Sequence, residues 1–157
     1  MKQKQINKVI ELWRQAKQQA IGYDANGREN GIQLSLAKEY FIEKLEKIKY
    51  KCIGDGTYKL VFSKKSVDFV VKIYHNGAID DKLMQREDFS PYIVESTYSD
   101  GAIKIQAKAS RASRNKAYKF FENIFGKEYC EIFDIHSENV GWINNKPVIF
   151  DFVACQL

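Results

Sequence analysis

The chain has 157 residues, of which 45% are hydrophobic and 13% aromatic, and it carries a formal net charge of +5. This composition excludes a disordered tail, and the length predicts one ordinary domain or two small lobes rather than two independent domains. Because no apolar run is long enough for a membrane span or a Sec signal peptide, we expect a cytoplasmic protein that does not contact membranes.

The cysteines and the net charge exclude few kinds of site or partner. Cys52, Cys130 and Cys155 are widely spaced and odd in number, which predicts free thiols rather than a disulfide framework or a metal site. The positive charge suits anionic partners, meaning nucleotides, nucleic acids or acidic proteins, and does not choose among them.

The first fifty residues predict two amphipathic helices. Residues 5–21 repeat apolar side chains at spacings of three, four and seven, and a second stripe begins at Leu34 and ends near Ile48. Between them, residues 22–31 break the pattern with glycines and asparagines. We expect a helical hairpin over residues 1–49, serving either as a structural cap or as a partner-docking surface.

The pattern changes from helix to strand after Tyr50. Residues 50–62 and 67–75 are typical of strands joined by a polar turn, and residues 91–109 predict two more strands around an "SDG" turn. Between these pairs, residues 76–88 predict a short helix capped by Asn76 or Asp80.

The last third of the chain predicts a helix followed by a hairpin. Apolar spacing over residues 110–125 predicts the helix, which Gly126 ends. The stretches "VGWI" and "VIF" predict paired strands, with "NNKP" as their turn. Alternating helices and antiparallel hairpins indicate an α+β protein.

Polar side chains gather at the open end of that hairpin. Asn139 and Asp151 flank it, and Asp134 lies five residues before Asn139. Two carboxylates and an amide oxygen suit Mg²⁺, which completes its shell with substrate phosphates. The alternative is that Asp134 and Asn139 close a turn through side-chain bonds and that Asp151 is solvated.

Four segments, in this order, resemble protein-kinase motifs. "IGDGTYKLVF" resembles the glycine-rich loop at Gly54, Gly56 and Val61, and "FVVK" resembles the V-A-I-K strand, ending at Lys72. "DIHSEN" resembles the catalytic-loop pattern D-x-x-x-x-N, and "DFV" resembles D-F-G. The chain is therefore similar to the protein-kinase fold over residues 50–153.

The resemblance implies a role for each matched residue. Asp134 would be the catalytic base, Asn139 and Asp151 would hold Mg²⁺, and Lys72 would grip the phosphates of ATP. Gly54 and Gly56 would let backbone N–H groups approach those phosphates, with Val61 lining the nucleotide site.

Two further residues have an expected role. Glu87 is the best candidate for the acidic partner of Lys72, with Asp88 and Glu95 as alternatives. His136 resembles a histidine of aminoglycoside phosphotransferase-like enzymes, which implies a contact with the γ-phosphate; a surface histidine is the alternative. His75 has no predicted role.

The chain also departs from the kinase pattern. Lys59 replaces the third loop glycine, Val153 replaces the glycine of D-F-G, and Ile132 and Phe133 replace the usual histidine and arginine. The chain ends at Leu157, where an activation loop and a large helical lobe would follow. We therefore expect a truncated kinase-like protein, similar in layout to small bacterial effector kinases and phage-encoded kinases.

The expected organisation is a helical hairpin (1–49), a small antiparallel-sheet N-lobe (50–110) and a severely truncated C-lobe (111–157). Its expected function is ATP- and Mg²⁺-dependent phosphorylation of Ser or Thr on itself or on a docked protein, in the cytoplasm or, for an effector or phage protein, the host cytoplasm. A pseudokinase scaffold that binds a partner protein is the first alternative.

Nucleic-acid binding is the second alternative. Residues 104–119 contain six Lys or Arg and no acid. Such a run is usually a solvated helix face, so the sequence does not favour this function.

Overall fold

The computed structural model describes residues 2–56, 58–75 and 87–150. The fold is α+β, with antiparallel sheets and helices. The chain divides into two compact units, the first formed by residues 1–77 and 98–105 and the second by residues 78–97 and 106–157. In the described part of the chain, no helix is long and apolar enough to cross a membrane. The lobe boundaries expected from the kinase resemblance stay a prediction.

Both predicted helices of the first unit are confirmed. Helix α1 spans Lys2–Gln19 and helix α2 spans Leu34–Lys47. They bury the apolar stripes that predicted them, and the rings of Trp13 and Phe41 lie 5.2 Å apart between centroids. The burial of these stripes stabilises the helices more than intrinsic propensity does.

A small hairpin joins the two helices where the sequence predicted only a break. Strand β1 spans Ile21–Tyr23 and pairs antiparallel with strand β2, Glu29–Ile32. The Asp24 carboxylate closes the turn by accepting hydrogen bonds from the N–H groups of Asn26 and Arg28. Because all four residues of β2 are exposed, no apolar alternation marks it in the sequence.

A five-stranded sheet follows, formed by β3 (Lys51–Asp55), β4 (Lys59–Ser63), β5 (Phe69–Tyr74), β6 (Ser96–Ser99) and β7 (Ile103–Ala107). Its strand order is β3-β4-β5-β7-β6. The sequence predicted two strands before residues 76–88 and two after them, and all four are confirmed. The first predicted strand, residues 50–62, forms both β3 and β4. Every residue of the central strand β5 is buried, so both of its faces are covered.

One face of this sheet forms the main core of the first unit together with α1 and α2. The apolar side chains that β4, β5 and β7 contribute to it alternate along each strand, as expected for one face. They are Phe62 from β4, Phe69, Val71 and Ile73 from β5, and Ile103 and Ile105 from β7.

The second unit has a separate aromatic core. It contains a 3-10 turn at Ser90–Tyr92, helix α3 (Arg114–Phe125) and helix α4 (Lys127–Ile132). The predicted α3 ends at Gly126, which has a φ of 87°, whereas the six-residue α4 was not predicted. The core is built from Phe89, Ala117, Phe121, Cys130, Phe133, Ile135, Val140 and Ile149.

The terminal hairpin is confirmed. Strand β8 spans Val140–Ile143 and pairs antiparallel with β9, Lys146–Ile149. Asn144 and Asn145 form its two-residue turn with φ values of 50° and 62°. Asparagine tolerates this left-handed backbone, which two-residue hairpin turns of the I′ type require.

The predicted helix over residues 76–88 lies mostly outside the described residues. Its last two positions, Glu87 and Asp88, belong to a turn that leads into the Ser90–Tyr92 segment. Glu87 is therefore a turn residue rather than a helix residue.

Candidate functional site

The loop between α4 and β8, residues 134–139, brings two of the predicted site residues together. The side-chain nitrogen of Asn139 donates to the main-chain oxygen of Asp134 at 2.8 Å. It also lies 3.2 Å from the Asp134 carboxylate. Asn139 is 7% exposed, so this amide is held in place by the loop that it closes.

Both residues of this pair also carry side-chain oxygens. Asn139 Oδ1 receives no hydrogen bond from the described residues, and no buried side-chain oxygen in that part of the chain lacks a partner. Oδ1 is therefore open to solvent. The Asp134 side chain is 40% exposed, and its φ of 56° is unusual for a residue with a Cβ. A backbone outlier beside exposed oxygens is typical of a functional loop.

His136 lies against both residues. Its Nε2 lies 3.4 Å from Asp134 Oδ1 and 2.9 Å from Asn139 Nδ2, while Nδ1 is hydrogen-bonded by the N–H of Glu138. Because Nδ1 accepts this bond, the neutral ring carries its proton on Nε2, which donates toward Asp134. The ring thus links the predicted base to the predicted metal ligand.

Asp151 lies outside the described residues, but the residue before it is held beside the loop. The N–H of Phe150 donates to the main-chain oxygen of Asn139 at 3.1 Å. Gln106 donates from its side chain to the oxygen of Phe150 at 3.0 Å. Phe150, the last described residue, is therefore hydrogen-bonded on both sides, to Asn139 and to Gln106.

Lys72 lies on the central strand of the sheet in the first unit. It is 4% exposed and its Cα partner on β4 is Val61, so two residues assigned to the nucleotide are cross-strand neighbours. Glu87 and Glu95 are exposed residues of the second unit, and Asp88 accepts a hydrogen bond from the Tyr129 hydroxyl at 2.5 Å. The acidic partner of Lys72 stays a prediction.

The glycine turn, formed by residues 54–56 and 58–59, is held by a hydrogen bond within it and by contacts with His75. The N–H of Gly56 donates to the oxygen of Lys59 at 3.0 Å, and the N–H of His75 donates to the oxygen of Tyr58 at 2.9 Å. A His75 ring nitrogen lies 3.2 Å from the oxygen of Gly56. The Gly56 N–H group is thus directed into the turn. His75, which had no predicted role, stabilises the turn through its contacts.

The basic segment 104–119 does not form a single solvated face. Lys104 is only 3% exposed. Arg111 and Arg114 both form ion pairs with Glu138, the latter at 3.3 Å. Part of the charge that suggested nucleic-acid binding is thereby buried or neutralised.

An open groove of about 660 Å³ lies near the segment's two arginines. In the described part of the chain, its lining consists of hydroxyl, amide, methyl and indole groups, which include no acid or base for catalysis. The lining residues are Ser110, Ala112, Ser113, Trp142, Asn144 and Asn145.

The described residues offer oxygen ligands for a metal but no complete metal site. They contain no group of three or more His, Cys, Asp or Glu placed to hold an ion. The open Oδ1 of Asn139 and the exposed Asp134 carboxylate are hard oxygen donors, which fit Mg²⁺. Such a cation would need Asp151 and ligand phosphates to complete its shell.

No protein-family model matches the chain, and no curated protein or solved structure matches it either.

Proposed function

We propose that the chain is a kinase-like phosphotransferase that uses ATP and Mg²⁺ to phosphorylate itself or a docked protein. The observation that carries the proposal is the 134–139 loop. Its asparagine fixes the main chain and carboxylate of Asp134 while leaving its own oxygen open. This combination supports a base and a metal ligand side by side, as the D-x-x-x-x-N pattern requires.

The proposed roles follow from the groups that each residue exposes. Asp134 accepts the proton of the acceptor hydroxyl, since its carboxylate is exposed and held in one position. Asn139 Oδ1 and Asp151 hold Mg²⁺, which when bound neutralises phosphate charge. Lys72 binds the α- and β-phosphates from the buried face of the sheet.

His136 has a positioning role in this proposal. Its Nε2 contacts both Asp134 and Asn139, so it restrains the carboxylate.

One observation favours a second candidate, a pseudokinase scaffold that binds a protein partner. Because the Gly56 N–H is bonded within the glycine turn, that group is not presented to phosphates in this conformation. If this turn stays closed, the chain would bind its protein partner without needing nucleotide.

Transfer of the terminal phosphate from radiolabelled ATP tests the first candidate. We expect Asp134→Asn to lower the transfer rate by about 10²–10⁴-fold, the usual contribution of a general base. Asparagine keeps the size of the side chain and tolerates the positive φ of this position, so the loop should remain folded.

The matched control is Asp68→Asn, since Asp68 is an exposed aspartate whose side chain makes one ion pair with Lys2. It should leave the rate unchanged. Label transfer that survives Asp134→Asn at the parental rate contradicts the assigned base. Absence of transfer in the parent, together with tight binding of a protein partner without ATP, favours the scaffold.

A further inference from the structure

The groove beside Trp142 is lined by residues that have no role in the proposed phosphotransfer. Its volume of about 660 Å³ lies within the range of small-molecule sites, roughly 300–1,000 Å³. Its described lining residues all belong to the second unit. We call this site the Trp142 groove.

Hydrogen bonds fix both the main chain and the side chain of Trp142. Its main-chain N–H and oxygen pair with those of Ser110 at 2.9 Å and 2.8 Å. Its indole Nε1 donates to the main-chain oxygen of Ser113 at 3.1 Å. Because this bond uses the only donor of the indole, the ring offers a ligand its apolar surface alone.

Two amides and a hydroxyl in the groove lining are available to a ligand. Asn144, Asn145 and Ser113 are exposed. Within the described part of the chain, their side chains form no hydrogen bonds. An amide and a hydroxyl can each donate and accept, so a matching ligand carries several groups that do the same.

The same three residues have a left-handed backbone. The φ values of Ser113, Asn144 and Asn145 are 57°, 50° and 62°. The two-residue turn of the β8–β9 hairpin requires this conformation of the asparagines. Ser113 precedes helix α3 without capping it through its side chain, and strain of this kind is often retained at binding sites.

The charge of the groove favours a neutral ligand. Its described lining contains no charged side chain. Arg111 and Arg114, which flank Ala112 and Ser113 in the sequence, both form ion pairs with Glu138. A phosphate or carboxylate would therefore lose water here without gaining an unpaired opposite charge.

A saccharide combines the properties that this lining requires. Its hydroxyls donate and accept hydrogen bonds, and the C–H groups of a sugar ring form an apolar face that packs against an aromatic ring. An extended peptide would need free main-chain groups to pair with, whereas those of Ser110 and Trp142 bond to each other. A nucleic acid would bring phosphates that the lining does not match.

We propose that the Trp142 groove binds a neutral saccharide. The sugar ring packs against the indole, and its hydroxyls bond to the side chains of Ser113, Asn144 and Asn145. The site binds without catalysing, because its described lining includes no acid or base. It operates independently of the proposed phosphotransfer.

Nuclear magnetic resonance titration of the full isotope-labelled chain tests the inference. The chain has two tryptophans, and Trp13, which is 1% exposed in the first unit, serves as the internal reference. The probes are neutral trisaccharides of glucose, galactose, mannose and N-acetylglucosamine. We expect at least one of them to shift the Trp142 indole N–H signal saturably below about 10 mM, the range of weak binding, while the Trp13 signal stays in place.

Asn144→Gly and Asn145→Gly test the proposed contacts. Each change removes one amide, and glycine adopts the positive φ of the turn without strain, so the hairpin should remain folded. Each should weaken saccharide binding by about threefold to tenfold, the usual effect of losing one neutral hydrogen bond. Asn26→Gly is the matched control, since Asn26 is an exposed turn residue of the first unit; it should bind as the parent does.

Three results would overturn the inference. One is a Trp142 signal that no saccharide shifts, and another is saccharide binding that both glycine variants leave unchanged. The third is a shift caused by a trialanine peptide or by adenosine but by none of the saccharides, which would assign the groove another ligand class. Saccharide binding by a chain that transfers no phosphate would support this inference and contradict only the proposed function.

Discussion

The Asp100 carboxylate ties the turn between β6 and β7 to helix α1. It accepts hydrogen bonds from the Trp13 indole at 2.5 Å and the Tyr98 hydroxyl at 3.0 Å. It also accepts from the N–H groups of Ala102 and Ile103. Burial raises the pKa of Asp100, but these hydrogen bonds outweigh burial and hold the pKa below its ordinary value.

Asp100→Asn should therefore destabilise the protein in a pH-dependent way. A carboxyl whose pKa is lowered by folding contributes its full stabilisation above its unfolded pKa, and that contribution is lost as pH falls through the folded value. We expect the variant to lose about 1–2 kcal/mol of unfolding free energy at pH 7. The difference in unfolding free energy between the variant and the parent should become smaller below about pH 4.

Urea denaturation at several pH values measures this difference. Asp68→Asn, at an exposed position of the same unit, should change stability little at any pH. An Asp100→Asn deficit that is constant from neutral to acidic pH would contradict this role of the ionised carboxylate, because asparagine keeps the size of the side chain.

At the scale of the secondary-structure elements, the β8–β9 hairpin packs against the chain before α3. Ser110 and Trp142 exchange two backbone hydrogen bonds, of 2.8 Å and 2.9 Å. This approach requires Gly141, since a Cβ there would lie 2.4 Å from the main-chain oxygen of Ser110. The glycine thus allows the hairpin that leads to Asp151 to dock on its neighbour.

Gly141→Ala should lower the unfolding free energy by about 1–3 kcal/mol, because the backbone must move to admit the methyl group. Gly56→Ala is the control, since its Cβ would meet its nearest neighbour at 3.7 Å. That change should stay within about 0.5 kcal/mol. Equal stability of the two variants in urea would mean that the hairpin is not held in this way.

At the scale of the whole molecule, periodicity predicted the elements that bury one apolar face. Helices α1, α2 and α3 and the β8–β9 hairpin show clear repeats, so each could be located before the structure was known. The β1–β2 hairpin and α4 could not, because β2 is exposed along its whole length and α4 has only six residues. A weak local signal cannot reveal elements that tertiary contacts stabilise.

The sequence likewise predicted one part of the candidate site and not another. Spacing alone placed Asn139 beside Asp134, since five residues fit one loop. The burial of Lys59 and Lys104 was not predictable, because a lysine on a strand gives the same signal whether its face is open or covered. The bond between His75 and the glycine turn joins residues 19 apart, which no local pattern encodes.

The most direct test of the kinase-like proposal is the melting temperature with and without Mg-ATP. At about one hundred times Kd, binding should raise the melting temperature by roughly 5 °C or more. Lys72→Met, which keeps the apolar length of the side chain, should abolish the rise, whereas Lys65→Met at an exposed turn should retain it. An unchanged melting temperature in the parent, or the same rise in Lys72→Met, would contradict the nucleotide site.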